Sequence, residues 1–243
     1  MSGLQKNILF EDGHVIVVYK PAGIATQTAR IGQQDMVSEI KNYLADKPEN
    51  AGKGQPYLGI VHRLDQPVSG ILVFAKTPKA ASALSRQLSD DRMSKEYYGV
   101  VYGCPDRQQE TLEDYLYKDG RTNLSLVVRE GFPDARKAVL QYKLIKTLMI
   151  LEEDKEVSLV EIHLITGRHH QIRAQLAHAG IPLLGDSKYG SPASKDISRG
   201  IGCKDTALCA FRLSFSHPVS GKKMCFEKQP EGEIFLPFFT NGI

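Results

Sequence analysis

A charged pair, Arg63 and Asp65, lies between two apolar runs in the stretch 60–76. A proline, a serine and a glycine between 67 and 70 favour a turn, and the run at 71–75 is continuously apolar. The pair is therefore expected in a short connection between two buried strands. Charged side chains are costly near a core unless they are paired or used. The residues alone leave two interpretations, an ion pair that braces a loop and a carboxylate that does chemistry.

A resemblance favours the second interpretation. His62, Arg63, Leu64 and Asp65, followed by a Ser-Gly pair and an apolar run, resemble the H-R-L-D-x-x-T-S-G signature of the RluA family of pseudouridine synthases. Those enzymes isomerise uridine in RNA to its C-glycoside, and the resemblance implies that Asp65 is the nucleophile. One position differs, because Val68 stands where the family usually has threonine. The change removes a hydroxyl able to brace the loop, and it bears on substrate subclass more than on chemistry.

Further segments are similar to motifs of the same family and follow in the same order. They are the K-P-A-G loop at 20–23, the K-x-Y strand at 94–103, T-G-R-x-H-Q-I-R at 166–173, P-I-x-G-D-x-x-Y-G at 182–190 and a closing strand at 213–218. The K-x-Y segment maps the active-site tyrosine of the family onto Tyr97, and His169 stands at the variable position of the T-G-R motif. The similarity spans residues 9–230.

The resemblance implies roles in catalysis for Asp65, Tyr97 and Arg173. Arg173 is expected to keep Asp65 ionised, and Arg168 is the alternative cation. Tyr97 offers a face that stacks on uracil and a hydroxyl that can move a proton, although a strand tyrosine is equally a core residue. Whether Asp65 attacks the base or sugar, or assists the departure of uracil, stays open.

Four residues are expected to bind substrate: Arg63, Arg168, His170 and Ile172. The target base must leave its stack to reach the aspartate, and by likeness to the family Arg63 fills the vacated place or holds the phosphate of the flipped nucleotide. Ile172 is expected to line the pocket below the base. Asp186 and Tyr189 are expected to support the site without acting in the chemistry.

No cofactor and no metal site are expected. The four cysteines show no C-x-x-C spacing, and the histidines at 163, 169, 170 and 178 have no cysteine or carboxylate that completes a zinc set. Two rival functions stay open: an RNA-binding protein without activity on the same scaffold, and a hydrolase with an aspartate nucleophile. A protein kinase is excluded, because its downstream asparagine and D-F-G motif are absent from the sequence.

Composition indicates an ordinary globular protein. The chain has 243 residues, of which 42% are hydrophobic and 24% charged, and its net charge is only +3. With no linker and no internal repeat, a single catalytic domain over 1–243 is expected, without a separate N-terminal RNA-binding domain. A cytoplasmic monomer acting on ribosomal or transfer RNA is the expectation that follows, and no membrane is involved.

Strands without regular βαβ alternation indicate an α+β fold, which the resemblance sharpens to a long bent mixed or antiparallel sheet with flanking helices and a central cleft. Local patterns predict strands at 14–20, 97–102, 137–146 and 158–165, and helices at 37–44, 77–88 and 170–179. Residues 105–136 are predicted to be polar and irregular, with a hairpin around 119–120. Residues 47–57 are predicted to form a mobile loop.

Overall fold

The fold is described from a computed structural model that covers residues 4–28, 32–50, 52, 54–150 and 154–240. These residues cluster into two compact units. Unit 1 comprises residues 1–95 and 210–228, and unit 2 comprises residues 96–209 and 229–243. The expectation of a single domain stays a prediction.

Unit 1 combines strands of one sheet with two helices. Its elements are β1 (Ile8–Glu11), β2 (Val15–Lys20), α1 (Met36–Ala45), β3 (Gly59–Ile60), β4 (Ser69–Ala75), α2 (Pro78–Ser89), most of β10 (Leu208–Ser216) and β11 (Lys223–Glu227). The strands follow the order β1-β2-β4-β10, with β3 also beside β4 and β11 beside β10. Every residue of β2 is buried, which explains why its sequence is apolar without alternating.

Unit 2 is an antiparallel sheet in the order β5-β9-β8-β6-β7 with helices on it. Its elements are most of β5 (Ser94–Tyr102), then β6 (Gln109–Asp119), β7 (Leu124–Val128), β8 (Arg136–Ile150), β9 (Lys155–Leu164), α3 (Gln171–His178), α4 (Pro192–Gly200) and α5 (Leu236–Phe239). Helix α3 packs on this sheet through Ala174, which joins Leu116 and Ala138 in one buried cluster.

The helix signals in the sequence are confirmed. The Thr77 hydroxyl accepts from the Ala80 N–H at 3.2 Å, and Pro78 opens α2, as the capping pattern predicts. Helix α1 begins after Asp35, whose carboxylate accepts from the Ser38 N–H. The chain leaves α3 through Gly180, where φ is +80°.

One prediction about local structure is wrong in part, and β1, β11, α4 and α5 lie in segments for which the sequence patterns made no prediction. The predicted hairpin is present, because β6 and β7 pair on either side of residues 120–123, but its two arms are ordered strands where an irregular segment was expected. Their polar composition reflects one solvated face, since exposed and half-buried residues alternate along the first half of β6. Helix α4 was not predicted, although Ser191 and Pro192 supply its cap and first turn. The predicted loop at 47–57 lies partly outside the described residues.

The predicted α+β class is confirmed, because the strands of both units are accompanied by few helices. Among the described residues, no helix is both long and apolar enough to cross a membrane.

Gly70 in the signature segment has no room for a side chain. Its φ is +133°, and a Cβ added there would lie 2.4 Å from the Ala210 nitrogen. We expect Gly70→Ala to lower the free energy of unfolding by about 3 kcal/mol or more, because backbone strain and steric overlap add. Gly221→Ala is the matched control, since Gly221 also has positive φ (+72°) but nothing within 4 Å of its added Cβ.

Urea unfolding of both variants measures the difference. Equal losses for the two variants would contradict the role of close packing at Gly70.

Candidate functional site

The H-R-L-D segment alternates between core and solvent. His62 and Leu64 are buried, Arg63 is exposed and Asp65 is half-buried. The alternation is that of an extended chain, so the two apolar-facing side chains anchor the segment from below. Arg63 and Asp65 thereby lie on the more exposed side of the segment.

Lys20 ties the Asp65 segment to the K-P-A-G loop. Its side chain is fully buried, and its ammonium donates to the carbonyl oxygens of Pro21, Ile24 and Gln66 at 2.9, 2.6 and 3.1 Å. An ammonium group has three N–H donors, and three carbonyls that converge on it match that number. The third carbonyl belongs to the residue directly after Asp65, so the buried charge fixes the backbone next to the carboxylate.

Thr26 makes a second connection between the same two segments. Its hydroxyl donates to the Leu64 carbonyl at 2.9 Å and accepts from the Leu64 N–H at 3.2 Å. A single side chain therefore satisfies both backbone groups of the residue before Asp65, and Thr26 itself is only 2% exposed. Thr26 thus supplies a hydroxyl that braces the loop in a chain that has Val68 where the family usually has threonine.

Gln66 and Val68 complete the loop. The Gly23 N–H donates to the Gln66 carbonyl at 2.9 Å, and the Gln66 side-chain amide donates back to the Gly23 carbonyl at 3.0 Å. The Val68 N–H donates to the Asp65 carbonyl at 3.1 Å, and the Val68 side chain is buried. The backbone on both sides of Asp65 is consequently held by specific bonds.

His62 is a neutral histidine inside unit 1. Burial lowers its pKa to about 3, and the nearby positive charge of Lys95 acts in the same direction. Its Nε2 accepts from the Val73 N–H at 3.3 Å, which requires the proton on Nδ1. Among the described residues this buried Nδ1 has no hydrogen-bond partner. His62 is therefore uncharged, and its ring accepts a hydrogen bond from the backbone of β4.

Tyr97 and Ile172 are apolar parts of unit 2. Tyr97 pairs with Ile162 in the β5–β9 register and is 5% exposed, while Ile172 on the first turn of α3 is 4% exposed. Both side chains therefore belong to the buried core of unit 2, and their roles at a site stay predictions.

Two side chains build the turn of the T-G-R motif. The buried Gln171 accepts from the Arg168 N–H and from the Thr166 hydroxyl, both at 2.9 Å, and donates to the Val139 carbonyl at 3.1 Å. The Thr166 hydroxyl accepts in turn from the Val139 N–H. Arg168 stays exposed and donates from Nε to the Lys137 carbonyl at 3.0 Å.

Arg173 makes a two-point ion pair with Asp186. Both contacts, from Nε and Nη2, are 2.7 Å, and the side chains are 3% and 1% exposed. Burial is the largest single influence and opposes the charge of Asp186, but the hydrogen bonds and charge of Arg173, together with the N–H groups of Tyr189 and Lys188, outweigh it and hold the pKa of the carboxyl below its usual value. The Asp186 Oδ1 also accepts the N–H groups of Lys188 and Tyr189. The P-L-L-G-D segment thus orients the arginine of the T-G-R motif.

A polar network surrounds the start of α3. The Ser125 hydroxyl donates to the His169 carbonyl at 2.5 Å and lies 2.9 Å from its Nδ1, while the Ser125 N–H donates to the Tyr189 hydroxyl. That hydroxyl is also 2.9 Å from His170 Nδ1, and the imidazoles of His169 and His170 stack 3.7 Å apart. His170 adopts φ of +50°, a strained conformation for this residue type that the network holds in place.

The predicted site residues fall into two groups. Asp65 and Arg63 lie in unit 1, whereas Tyr97, Arg168, His170, Ile172 and Arg173 lie in unit 2. Within unit 2 the structure brings Arg173, Tyr189 and His170 together, since the Arg173 guanidinium lies 5.2 Å from the Tyr189 ring centre. No cluster of three metal-ligating side chains occurs among the described residues.

Sequence reasoning missed several residues that shape these groups. Lys20 was seen only as part of a motif, and its position at the end of a wholly apolar strand was the available signal. Gln171 belongs to the T-G-R motif and bonds locally to Thr166 and Arg168, so its place in the motif was the available signal. Thr26 and Ser125 gave no such signal, because their partners are distant in sequence.

Solved structures show the class of fold. Human RNA pseudouridylate synthase domain containing 4 matches 97% of this chain and 92% of its own, with a TM-score of 0.73 at 21% identity. Human RNA pseudouridylate synthase domain containing 1 matches 97% of this chain and 95% of its own, with a TM-score of 0.72 at 18% identity. The chain therefore has the pseudouridine synthase fold.

Sequence comparisons show the family. Residues 14–178 match the family model described as RNA pseudouridylate synthase. Ribosomal large subunit pseudouridine synthase D of Zymomonas mobilis is 34% identical over 95% of this chain and 71% of its own length. The protein of the same name from Neisseria meningitidis serogroup B is 35% identical over 94% of this chain and 59% of its own. The chain belongs to the RNA pseudouridylate synthase family, a family of isomerases, and its resemblance to RluA-type members is confirmed.

Thr26 provides a test of how the Asp65 loop is held. We expect Thr26→Val to lower stability by about 2 kcal/mol, because it leaves two buried backbone groups of Leu64 without a partner. We also expect kcat on RNA to fall about tenfold or more with KM nearly unchanged, since a small displacement of a reacting group is costly.

Thr26→Ser keeps the hydroxyl and is the matched control, which should restore kcat. Loss of stability without a change in kcat would limit Thr26 to a structural role.

Proposed function

We propose that this protein isomerises specific uridines in RNA to pseudouridine, with Asp65 as the nucleophile. The observation that carries the proposal is the H-R-L-D segment inside the family match, with its carboxylate half-buried on a loop fixed on both sides. Fixed geometry matters because a nucleophile held in place reacts without first losing conformational freedom.

The reaction needs no net oxidation and no added atoms. The bond between N1 of uracil and C1′ of ribose breaks, a bond between C5 and C1′ forms, the C5 proton leaves to solvent and N1 gains a proton. The base must detach, rotate and reattach inside one site. A carboxylate, a group that transfers protons and a closed apolar surface are sufficient for these steps.

The proposed roles follow the family resemblance residue by residue. Asp65 is the nucleophile, Arg173 keeps it ionised, and Tyr97 stacks on uracil and moves a proton. Arg63 serves extrusion of the target base, which suits an exposed guanidinium without an ion-pair partner among the described residues. His170 and Ile172 contact the flipped nucleotide.

The choice of Arg173 over Arg168 has a physical basis. Arg173 is buried and held by two contacts to Asp186, so its charge acts in a poorly solvated place. Arg168 is exposed, where solvent screens its charge, and it is assigned to substrate phosphate.

Ribosomal RNA of the large subunit is the proposed substrate. The support comes from the names of the relatives, which are ribosomal large subunit pseudouridine synthases D. The chain spans 59% to 71% of the length of these two relatives, so the site of modification is a matter for direct mapping.

Asp65→Asn tests the proposed chemistry. We expect release of tritium from 5-tritiated uridine in large-subunit ribosomal RNA to fall below about 1% of wild type, because only the nucleophile is lost. Affinity for the same RNA and the unfolding midpoint should stay close to wild type.

Turnover clearly above that level would remove Asp65 from its role. A wild-type protein that binds RNA but releases no tritium from ribosomal or transfer RNA would point instead to an RNA-binding protein without activity. Hydrolysis of a small ester without tritium release would favour the hydrolase.

Arg173 requires a test that separates chemistry from folding. Arg173→Ala should cost about 3–5 kcal/mol of stability, because it leaves the Asp186 carboxylate buried without its partner. The double variant Arg173→Met with Asp186→Asn removes both charges and keeps an oxygen for the N–H groups of Lys188 and Tyr189. We expect it to recover most of the stability and none of the activity.

Asp186→Asn alone is the control that keeps the arginine. Recovery of activity together with stability in the double variant would assign Arg173 a structural role only.

A further inference from the structure

One face of the unit 2 sheet carries cations beyond the buried cluster under α3. In the register, Leu116 lies opposite Arg136, and Lys118 lies opposite Ser125. Cross-strand partners project to the same side of a sheet, and residues two apart on a strand do so as well. Because Leu116 packs with Ala174 of α3, both Lys118 and Arg136 project from the α3 side of the sheet.

Two more cations are fixed beside these strands by backbone contacts. The Lys188 ammonium donates to the Asn123 carbonyl at 2.9 Å, at the tip of the β6–β7 hairpin. Arg168 donates to the Lys137 carbonyl, next to Arg136 along β8. We call Lys118, Arg136, Arg168 and Lys188 the basic cluster.

The hairpin that carries part of the basic cluster is anchored to the T-G-R motif. Ser125, which lies opposite Lys118, bonds to His169 and to the Tyr189 hydroxyl. The cations are therefore held at a defined place relative to His170 and Arg168, two residues proposed to bind substrate.

No member of the basic cluster has an acidic partner among the described residues, and all four are exposed. Several acidic side chains nearby have other partners, including Asp114 on the same face, which contacts Gln175 and His178. Glu113 pairs with Lys137 at 2.6 Å from the opposite face, Asp119 accepts from Thr122, and Asp186 pairs with Arg173. The positive charge of this face is consequently not balanced by ion pairs within unit 2.

A protein with a net charge of only +3 that gathers cations without acidic partners around the β6–β7 hairpin and the T-G-R motif fits an extended polyanion. Guanidinium and ammonium groups are the donors that phosphodiesters accept from most readily, and such contacts position a nucleic acid without reading its sequence.

We propose that the basic cluster binds the phosphate backbone of the RNA substrate and positions the strand beside the T-G-R motif. The proposal rests on the proposed function and extends it, because Lys118, Arg136 and Lys188 lie outside every motif position assigned to chemistry or binding above. The cluster contributes affinity and register, and it takes no part in bond making.

The test compares the double variant Lys118→Gln, Arg136→Gln with a charge-matched control. The control, Arg107→Gln with Arg199→Gln, also removes two exposed cations from unit 2, but these are paired with Glu110 and Asp196. The probe is an in vitro transcript of large-subunit ribosomal RNA containing 5-tritiated uridine, with affinity measured over a range of salt concentrations.

We expect the slope of log affinity against log salt to fall in magnitude by about 1 for each cluster cation removed, and the control to keep the wild-type slope. KM should rise in the cluster variant, whereas kcat at saturating RNA should change little. Thermal unfolding checks that all variants are folded.

Equal slopes and equal KM values for the two double variants would overturn the proposal while tritium release by the wild type still upheld the proposed function. Absence of tritium release by the wild type would refute the proposed function, and the slopes would then still decide whether this face binds RNA.

Discussion

The Asp65 loop depends on one buried cation. Lys20 ends a strand with no exposed residue, and its ammonium gathers carbonyl oxygens from two segments that are 46 positions apart in the chain. A buried ammonium must be hydrogen-bonded, because desolvation without partners is far more costly than a single lost bond. The three carbonyl oxygens of Pro21, Ile24 and Gln66 stabilise the buried ammonium. In return, the ammonium holds these three backbone groups in place.

Unit 2 also contains a buried charge, which is held by an ion pair. Arg173 and Asp186 are both almost fully buried, and their planar groups meet through two short contacts. Such a pair contributes little net stability relative to apolar residues, but it fixes orientation because breaking it is costly. A guanidinium that is held in this way keeps its charge in a defined place, which is the property that the proposed mechanism requires of it. The Lys20 and Arg173 sites both use buried charge to restrict geometry.

The exposed charges of the β6–β8 strands differ between the two faces of the sheet. Glu113 and Lys137 neutralise each other on one face of the β6–β8 strands, while the basic cluster on the other face has no acidic partner in the described part of unit 2. Pairs of exposed charges contribute little to stability, so their arrangement is free to serve binding. A small net charge therefore says little about polyanion binding, because a bound polyanion contacts only the charges on one surface of the sheet.

The sequence by itself determined the family, the α+β class, most helices and strands, and Asp65 as the candidate nucleophile, because these depend on local patterns and on motifs contiguous in the chain. Only the tertiary structure decided that Arg173 pairs with Asp186, that Thr26 braces Leu64 and that the arms of the predicted hairpin are ordered strands over 109–119 and 124–128. Those contacts join residues brought together by folding, and a hydroxyl or an amide carries no sign in sequence of which distant backbone group it will satisfy.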